Sequence, residues 1–429
     1  MYQVLGFWLV NVLEELDAAG FVAHATDREA LANHFNSSPV SFYVGFDPTA
    51  PSLHMGNLVQ LMLVRRLQAG GHRPILLVGG STGMIGDPKQ SSERNLNPKD
   101  LVHAWVERIR EQVSKYVSFE SDNAATLVNN YDWTSELSTL DFLRDIGKHF
   151  PINRMLDREV VKARLESGIS YTEFSYVLLQ SLDFLELFRR YGCTLQTGGS
   201  DQWGNLTAGV ELIRRATGSR VHALATPLLT KADGTKFGKT EAGTVWLDPT
   251  MTSPYAFHQF FLNAEDQMVI DYLKIFTVRS PEEIAELELL TGQQPQLRAA
   301  QRALADDITD LVHSRAERNA ATAAAAALFG QGELRELPQA TLEAVAKELK
   351  AGQLSQGDEF PAVIDALVSA GVVSSRGEAK RAIQEGGAYV NNVKVSAVDA
   401  KLEQADLLAG DYVIVRRGKK TVGAVQLQR

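Results

Sequence analysis

The fold of this chain is decided by residues 42–78, FYVGFDPTAPSLHMGNLVQLMLVRRLQAGGHRPILLV. Phe42–Phe46 predicts a β-strand, Leu58–Ala69 predicts an amphipathic helix that ends at two glycines, and Pro74–Val78 predicts a second strand. Because two strands joined through a helix usually lie parallel in one sheet, this stretch favours an α/β fold with helices covering the sheet.

The same alternation continues outward along the first half of the chain. Thr126–Val128 and Thr194–Thr197 predict further short strands, and Asp100–Lys115 and Thr172–Tyr191 predict helices between them. We therefore expect an α/β fold built on a Rossmann-like, doubly wound parallel sheet. Ligands of such folds bind at the carboxyl ends of the strands, so candidate site residues are expected in the turns that follow strands.

The second half of the chain has a different pattern. Residues from about Tyr255 to Leu328 predict helices only, and the polar residues from about 330 to 358 predict a linker with some helix. Helices followed by short strands at Ala388–Val390 and Tyr412–Arg416 are predicted for the last unit. The expected division is a Rossmann-like domain at 1–228, a lysine-containing loop and helical domain at 229–335, a linker at 336–359 and a small α+β domain at 360–429.

Composition limits the possible functions. A chain of 429 residues is long enough for two or three domains, and 45% hydrophobic with 22% charged residues is typical of soluble globular proteins. Cys193 is the only cysteine, which excludes a disulfide framework or a Cys-based zinc site and predicts a cytoplasmic protein. Residues 1–10 are apolar, but they lack the basic start of a signal peptide and are too short to span a membrane.

Charge is unevenly distributed along the chain. The net charge is −9, with +3 in residues 361–429 and −12 in the remainder. A basic tail on an acidic body can bind a polyanion, but it can also be an ordinary variation of surface charge. Charge by itself leaves both interpretations open.

Two short motifs have the composition of anion-binding sites. H-M-G-N, at His54–Asn57, follows a strand and begins a helix, where free backbone N–H groups and small polar donors bind phosphate. K-F-G-K-T, at Lys236–Thr240, places two lysines around a glycine in a stretch with little apolar content. It is not a Walker loop, because Gly234 and Gly238 are separated by three residues and no strand-then-helix setting surrounds them.

A polar stripe on an apolar helix suggests a ligand pocket. Tyr176, Gln180 and Asp183 follow an i, i+4, i+7 spacing and therefore project from one face. Burying such a stripe without partners is costly, so a pocket is favoured over a packing face. G-G-S-D-Q-W-G-N, residues 198–205, suits recognition of sugar hydroxyls or an amine, although a plain turn has the same composition.

A glycine-rich turn leaves a second enzyme class open. Gly79, Ser81 and Gly83 match the G-x-S-x-G nucleophile elbow of serine hydrolases, and a predicted strand precedes them. His222 or His258 would then have to act as the base, and nothing in the sequence singles out either. The alternative is that the glycines make room for a nucleotide while Asp87 contacts a ligand amine or ribose.

Together these motifs resemble those of the bacterial tyrosyl-tRNA synthetases, which are class I aminoacyl-tRNA synthetases. The resemblance begins near Val12, reaches the C-terminus and includes, in order, Y-V-G-F-D-P-T, H-M-G-N for the HIGH signature, V-G-G-S-T-G-M-I-G-D-P, N-N-Y-D-W, F-L-R-D-I-G-K-H-F, T-E-F-S-Y-x-L-L-Q, Q-T-G-G-S-D-Q-W-G-N and K-F-G-K-T for the KMSKS signature. Residues 374–391, S-S-R-G-E-A-K-R-A-I-Q-E-G-G-A-Y-V-N, resemble the S4-type RNA-binding module. The resemblance implies activation of L-tyrosine by ATP to tyrosyl-adenylate with release of pyrophosphate, followed by transfer to the terminal adenosine of tRNA(Tyr).

The resemblance also implies residue roles. It assigns phosphate-directed catalysis to Thr49, His54, Lys236, Lys239 and Thr240. It assigns ATP binding to Gly45, Asp47, His54, Gly56, Asn57, Gly199, Asp201 and Lys239. For tyrosine it assigns the ammonium group to Asp87, Tyr176 and Gln180, the phenol hydroxyl to Tyr43 and Asp183, and the pocket shape to Asn130, Gln196 and Gln202. Mg²⁺ would arrive with ATP, and no dedicated protein metal site is expected.

Partners follow from the same resemblance. The implied tRNA phosphate contacts are Arg376, Lys380, Arg381, Arg416, Arg417, Lys419 and Lys420. A homodimer without membrane contact is also implied. Two departures stand out: the HIGH signature ends in Asn57, and the loop after Asp87 is one residue short, which leaves open whether Lys89 or Arg94 supplies its basic contact. A regulatory RNA-binding protein on an inactive scaffold is the remaining alternative.

Overall fold

The structure is a computed structural model that describes residues 12–88, 96–240, 243–355 and 359–428. Lys89 and Arg94 therefore lie outside the described residues, as do residues 1–10. The chain forms two compact units. The first comprises the described residues up to Trp246 together with Gln267–Glu286, and the second comprises Leu247–Asp266 together with the described residues from Leu287 onward.

The strands of the first unit form a six-stranded sheet and a short hairpin. They are β1 (His24–Ala25), β2 (Ser41–Phe46), β3 (Arg73–Val78), β4 (Thr126–Asn129), β5 (Leu195–Gly199) and β6 (His222–Thr226), with β7 (Lys239–Thr240) and β8 (Gly243–Thr244) in the hairpin. The larger sheet has the order β1-β6-β5-β2-β3-β4, and every neighbouring pair is parallel except β1 with β6.

The order of these strands creates a topological switch point. From β2 the chain proceeds to β3 and β4 on one side, and β5 and β6 lie on the other side. Such a reversal opens a crevice at the carboxyl ends of the two central strands, here β2 and β5, which is where doubly wound folds bind ligands. The predicted α/β fold with a doubly wound parallel sheet is confirmed.

Helices pack against this sheet, and the second unit also contains several helices. They are α1 (Val12–Ala18), α2 (Arg28–Ser37), α3 (Met55–Ala69), α4 (Thr82–Ile85), α5 (Lys99–Ser114), α6 (Tyr131–Thr134), α7 (Thr139–Asp141), α8 (Ile152–Leu156), α9 (Glu159–Lys162), α10 (Tyr171–Tyr191), α11 (Trp203–Thr217), α12 (Pro254–Leu262), α13 (Val269–Phe276), α14 (Pro281–Gln293), α15 (Ala299–Val312), α16 (Arg315–Leu328), α17 (Gln339–Glu348), α18 (Val363–Ser369) and α19 (Arg376–Gln384). Two long helices of the first unit, α3 and α10, both contribute to the site described below.

The β2–α3–β3 unit shows how the deciding stretch folds. Every residue of β3 after Arg73 is buried, and α3 buries Leu58, Leu61 and Leu67 against the sheet. Such burial of branched side chains supplies most of the stability of a βαβ unit. Helix α3 begins at Met55, three residues before the predicted start, because the preceding residue caps it.

The second unit contains a five-stranded sheet of its own. Its strands are β9 (Gly352–Ser355), β10 (Ala388–Val390), β11 (Val393–Lys394), β12 (Tyr412–Arg417) and β13 (Thr421–Gln428), in the order β11-β10-β12-β13-β9. Within the predicted linker, α17 packs its buried Leu342 and Val345 into a cluster with Ile414 and Ala424, and β9 pairs in parallel with β13. This part of the chain therefore belongs to the fold of the second unit. The four-part division as a whole stays a prediction.

Among the described residues, no helix combines the length and the apolar content that crossing a bilayer requires.

Candidate active site

A cavity of about 490 Å³ lies at the carboxyl ends of β2 and β5 in the first unit. Its wall includes the ends of both strands, the start of α3, the polar face of α10 and the loop before β7. This position is the switch point of the sheet, so the sheet topology and the cavity independently indicate the same ligand site.

Most of the sequence-predicted residues meet in this cavity. Those that line it are Tyr43, Gly45, Asp47, Thr49, His54, Gly56, Asn57, Asp87, Tyr176, Gln180, Asp183, Gln196, Gly199, Asp201, Gln202, Lys236 and Lys239. Two predicted residues are not part of the lining. Asn130 lies behind Asp183 as a hydrogen-bond donor, and Thr240 is exposed, with its hydroxyl donating to the Gly243 carbonyl at 3.1 Å.

The first turn of α3 is held by the two ends of the H-M-G-N motif. The Asn57 Oδ1 accepts the backbone N–H of His54 at 3.0 Å, and the His54 Nδ1 accepts the backbone N–H of Gly56 at 3.1 Å. Because Nδ1 accepts, the proton of a neutral ring is on Nε2, where it can donate to an anion. Burial and then the Lys239 ammonium lower the pKa of His54, which favours this neutral form. Asn57, the departure from the HIGH signature, thus has a local structural role.

The K-F-G-K-T loop is anchored through its central residues. The Phe237 ring packs on Tyr272 with 4.1 Å between centroids, and Gly238, at φ +89°, lies so close to Met55 that an added Cβ would be 2.6 Å from the Met55 Cβ. The flanking Lys236 and Lys239 remain exposed, and the Lys239 Nζ donates to the Thr244 hydroxyl at 2.7 Å. The loop therefore presents two ammonium groups beside the start of α3.

The opposite part of the cavity lining is buried. Tyr43 and Gln196 are partners in the β2–β5 register, with 2% and 1% of their surfaces exposed. Among the described residues, the Tyr43 hydroxyl, the Gln196 Oε1 and the Gln180 Oε1 are buried without a hydrogen-bond partner. Buried polar atoms are rarely left in this state, so a polar ligand is the natural partner of all three.

Asp183 is the buried carboxylate of this region. Its Oδ2 accepts from the Asn130 Nδ2 at 3.0 Å and its Oδ1 from the Trp133 Nε1 at 2.9 Å. Burial raises the pKa of Asp183 to about 8, while the two donated hydrogen bonds act in the opposite direction. Both partners can only donate hydrogen bonds, so they favour the ionised form of Asp183. The ionised carboxylate can still accept a further hydrogen bond.

A second carboxylate connects α10 to the turn after β2. The Asp47 Oδ2 accepts from the Tyr176 hydroxyl at 2.6 Å, and its Oδ1 accepts from the Thr82 hydroxyl at 2.6 Å. Thr82 in turn accepts from the Asn130 Nδ2 at 2.9 Å. Asp183 and Asp47 are therefore joined through one asparagine and one threonine, and this chain of hydrogen bonds fixes both carboxylates.

Asp87 is positioned from the start of α11. Its two oxygens accept from the Gln202 Nε2 at 3.0 Å and from the Asn205 Nδ2 at 3.1 Å. The Asn205 Oδ1 is itself bonded by the Arg158 guanidinium. These contacts hold a carboxylate at the cavity wall, where it can bind a cationic group.

The glycine-rich turn after β3 serves close packing. A Cβ on Gly79 would lie 2.1 Å from the Asp47 Oδ1, and one on Gly80 would lie 2.4 Å from the Asn129 Oδ1. The Ser81 backbone N–H donates to the Asn130 Oδ1 at 2.7 Å, and no histidine of the described residues bonds its hydroxyl. His222 packs on His34, and His258 pairs with Asp306. The geometry of a serine hydrolase is therefore not formed by these residues.

The basic residues of the second unit differ in accessibility. Lys380, Arg381, Lys419 and Lys420 are exposed. Arg376 pairs with Asp365 at 3.3 Å, and Arg417 pairs with Glu378. Arg416 is only 8% exposed, because its guanidinium packs over the Tyr389 ring at 4.1 Å. Arg416 therefore has a packing role within the sheet.

Sequence reasoning missed several residues that complete the site. Thr82, Trp133 and Asn205 bond the three carboxylates, and Gln60 lines the cavity from α3. Trp133 and Asn205 belong to quoted motifs, N-N-Y-D-W and Q-T-G-G-S-D-Q-W-G-N, so the signal for them was present. Thr82 likewise belongs to the quoted motif V-G-G-S-T-G-M-I-G-D-P, whereas nothing in the local sequence distinguishes Gln60 from ordinary helix residues.

Comparison with known proteins agrees with this geometry. The family profile "tRNA synthetases class I (W and Y)" matches residues 36–330, and the profile "Tyrosine--tRNA ligase SYY-like C-terminal domain" matches residues 341–424. The chain is 62% identical over 415 residues to the "Tyrosine--tRNA ligase" of Cutibacterium acnes, covering 97% of this chain and 99% of that protein. It is 57% identical to the protein of the same name from Streptomyces avermitilis, over 98% of this chain and 99% of that one.

A solved structure is also similar. The crystal structure of a C-terminally truncated mitochondrial tyrosyl-tRNA synthetase from Aspergillus nidulans matches with a TM-score of 0.67 at 31% identity. The match covers 73% of this chain and 92% of that one.

Proposed function

Because the chain belongs to the tyrosine–tRNA ligases of the class I tRNA synthetase family, we propose that its cavity binds L-tyrosine at the buried end and ATP at the exposed end. The reaction of this family activates tyrosine with ATP and transfers it to tRNA. The tyrosine carboxylate is already a nucleophile for the α-phosphate, so the protein has to orient substrates and stabilise charge. The remaining alternative, an inactive RNA-binding scaffold, is disfavoured because the site residues converge.

The observation that carries the proposal is the buried pair of Tyr43 and Asp183. A phenol hydroxyl needs one acceptor and one donor, which are the Asp183 carboxylate and the unsatisfied Tyr43 hydroxyl. Phenylalanine would leave both groups buried without a partner, and tyrosyl-tRNA synthetases are the standard example of such rejection, about 10⁵-fold without editing.

The substrate ammonium would bind among Asp87, Tyr176 and Gln180. Asp87 supplies negative charge, the Gln180 Oε1 is a buried acceptor, and Tyr176 is oriented by its hydrogen bond to Asp47. Gln196 and Gln202 would complete the wall around the amino acid. Asn130 would not contact the amino acid itself and would act by donating a hydrogen bond to Asp183.

ATP would bind along the turns after β2 and β5. Gly45, Asp47, Gly56, Asn57, Gly199 and Asp201 line this part of the cavity and would contact the adenosine. The Nε2–H of His54, Thr49 and the ammonium groups of Lys236 and Lys239 would stabilise charge that develops on the phosphates. Thr240 would order the loop through Gly243.

Mg²⁺ would enter bound to the ATP phosphates. Within the described ranges, no group of three or more His, Cys, Asp or Glu residues is arranged to hold a metal ion. Mg²⁺ commonly keeps its waters and binds through substrate phosphates, which suits a site built from lysines and backbone N–H groups.

Phosphates of tRNA would bind the exposed basic residues of the second unit. Lys419 and Lys420 lie in the turn between β12 and β13, and Lys380 and Arg381 lie on α19. Arg376 and Arg417, which also form salt bridges within the unit, would bind further tRNA phosphates. The buried Arg416 would support the sheet.

A second copy of this chain is the proposed occupant of an apolar surface in the first unit. Large apolar side chains between α7 and the start of α10 are 38% to 79% exposed, namely Leu140, Leu143, Ile152, Leu156, Leu165 and Tyr171. Several exposed large apolar side chains within one short stretch of the chain are typical of an association surface. Sedimentation of the wild type and of Leu140→Asp/Ile152→Asp tests it, because a homodimer predicts that only the double variant is monomeric. A cytoplasmic location stays a prediction from the sequence.

Two assays test the proposed function directly. Tyrosine-dependent ATP–pyrophosphate exchange tests activation, and charging of tRNA(Tyr) tests transfer. Lys380→Ala/Lys419→Ala/Lys420→Ala should leave exchange intact and raise the KM for tRNA, with a weaker salt dependence because phosphate contacts are lost. The control Lys347→Ala, exposed on α17, should change neither assay. Absence of exchange in the folded wild type would refute the activation step.

A further inference from the structure

Arg66 is a half-buried cation on α3 that has none of the roles described above. It lies about three turns after His54 on the same helix. Its guanidinium carbon is 5.2 Å from the centroid of the fully buried Phe21 ring. Burial lowers the pKa of Arg66 to about 10, and the Glu15 carboxylate acts in the opposite direction. A cation in such surroundings is costly unless hydrogen bonds replace the lost water, so its partners indicate its role.

The partners of Arg66 are carbonyl groups at the end of α13. Its Nη2 donates to the Lys274 carbonyl at 2.6 Å and to the Thr277 carbonyl at 2.8 Å. Lys274 belongs to the last turn of α13, and Thr277 is the residue that caps this helix. The last carbonyls of a helix lack partners within the helix and carry partial negative charge, so a guanidinium is favourable there. Arg66 therefore fastens the C-terminal end of α13 to the last turn of α3.

Both helices also contact the K-F-G-K-T loop. The Phe237 ring packs on Tyr272 and Phe276 of α13, with 4.1 and 6.0 Å between the ring centroids. The next loop residue, Gly238, packs against Met55 in the first turn of α3. The spacing between α3 and α13 therefore decides where the loop lies.

The two lysines of the loop depend on this spacing. Lys236 and Lys239 lie on either side of the two anchored residues, and Lys239 is close enough to His54 to lower its pKa. The carbonyls bound by Arg66 belong to residues before and after Phe276, so its hydrogen bonds fix the part of α13 on which the loop packs. A misplacement of about 1 Å can cost a reaction about 10²-fold in rate.

We propose that Arg66 is a positioning residue that holds α13 against α3 and thereby keeps the lysines of the K-F-G-K-T loop at the ATP phosphates. Arg66 is outside the cavity lining, so its loss affects the rate of adenylate formation and not the affinity for tyrosine. The inference rests on the proposed function, which assigns the phosphates to Lys236 and Lys239. An arginine that only stabilised the fold would change the free energy of unfolding without acting through these lysines.

The first test compares Arg66→Met with Arg66→Lys in the full-length protein. Methionine keeps an unbranched apolar stem and removes both hydrogen bonds, whereas lysine keeps a cation that can still donate to a carbonyl. We expect single-turnover adenylate formation to slow about 10- to 10²-fold in Arg66→Met and less in Arg66→Lys, with tyrosine affinity in equilibrium binding unchanged. The control Arg65→Met, at the neighbouring half-buried arginine whose charge acts on Tyr116, should leave the rate unchanged. An unchanged rate in Arg66→Met would overturn the proposal.

A double-mutant cycle tests whether Arg66 acts through the lysines. Arg66→Met is introduced into a Lys236→Ala/Lys239→Ala protein, and adenylate formation is measured again. If Arg66 acts by placing these lysines, its loss should slow the reaction less than about twofold in this background. A loss as large as in the protein with both lysines would contradict the proposal. Arg66→Lys is carried through the same cycle, so the test does not depend on the folding of Arg66→Met.

Tryptic cleavage of the loop gives a readout that does not depend on catalysis. Lys236 and Lys239 are exposed, and trypsin cuts after lysine where the backbone opens locally. Cleavage at these residues, identified by mass spectrometry, should be about tenfold faster in Arg66→Met, the equivalent of one lost hydrogen bond, and unchanged in Arg65→Met. Equal cleavage rates in the wild type and Arg66→Met would show that Arg66 does not hold the loop. Absence of adenylate formation in the folded wild type would refute the proposed function, and the cleavage rates would still decide whether Arg66 holds the loop.

Discussion

The Trp133 indole donates its Nε1–H to the Asp183 Oδ1 at 2.9 Å, deep beneath the part of the cavity proposed for tyrosine. Asp183 is 3% exposed, and burial raises its pKa to about 8. The ionised carboxylate is the form that accepts a phenol hydroxyl. Its population grows as the pH rises through the pKa, so the indole donor and the substrate stabilise the same state.

Trp133→Phe is therefore expected to shift the pH dependence of tyrosine use. Loss of the donor raises the pKa of Asp183 further, so the rise of kcat/KM for tyrosine should move to higher pH, and the KM at neutral pH should increase about tenfold. Exchange rates measured at varied tyrosine across the pH range check this. Asp183→Asn should remove that rise altogether. An unshifted profile in Trp133→Phe would mean that the indole does not influence the carboxylate.

Tyr43→Phe should weaken discrimination between tyrosine and phenylalanine. The change removes one hydroxyl that lacks a protein partner and leaves the buried ring in place. We expect kcat/KM for tyrosine to fall at least about tenfold, while phenylalanine activation stays level or improves because no buried donor is then left unsatisfied. Competing exchange assays with both amino acids give the ratio. Equal losses for the two substrates would show that Tyr43 acts only in packing.

Lys239→Ala should slow adenylate formation without affecting tyrosine binding. The Lys239 ammonium lies at the cavity mouth and also lowers the pKa of His54. Removing one charge that stabilises a transition state commonly costs about 10²–10³ in rate. Single-turnover adenylate formation measures the rate, and equilibrium binding measures tyrosine affinity. Lys231→Ala, in the loop outside the cavity lining, is the matched control.

Tyr272→Phe should reveal how the K-F-G-K-T loop is held. The Tyr272 hydroxyl donates to the Thr230 carbonyl at 2.8 Å before the loop, and its ring packs on Phe237 within the loop. The substitution removes only the hydrogen bond to Thr230 and keeps the ring contact. Because misplaced lysines stabilise the phosphates poorly, kcat should fall about tenfold while the KM for tyrosine stays unchanged. Tyr116→Phe, at a buried tyrosine outside the cavity lining, should reduce stability alone.

His72→Asn should make the free energy of unfolding less dependent on pH below neutral pH. Burial lowers the pKa of His72 to about 4, and its Nδ1 accepts the Val40 N–H at 3.1 Å. In the unfolded chain His72 binds a proton at its ordinary pKa. The contribution of the neutral, buried His72 to the free energy of unfolding is therefore complete at neutral pH and is lost as the pH falls from about 6.5 to about 4. Asparagine keeps an acceptor without titrating. Denaturant unfolding at a series of pH values should give a shallower slope for the variant.

The sequence by itself determined the α/β class, the strand–helix–strand unit and the family. These depend on local periodicity and on motifs such as H-M-G-N and K-F-G-K-T, which are read directly along the chain. Helical spacing also grouped Tyr176 and Asp183 on one face of a helix, whereas Tyr43 was assigned to the same site only by the resemblance to the family.

Only the tertiary structure decided which residues affect the site indirectly, by bonding a residue that lines the cavity. Trp133 and Thr82 become relevant because distant segments bring them to Asp183 and Asp47, and no local pattern records such contacts. The structure also buries Arg416 on Tyr389, although the sequence gives it the same basic character as its exposed neighbours. Gln60 lines the cavity while its Nε2 donates to the hydroxyl of Thr226, a partner 166 residues away. The sequence thus specifies the chemistry of each side chain. Which of its polar atoms find a hydrogen-bond partner depends on the three-dimensional packing of the whole unit.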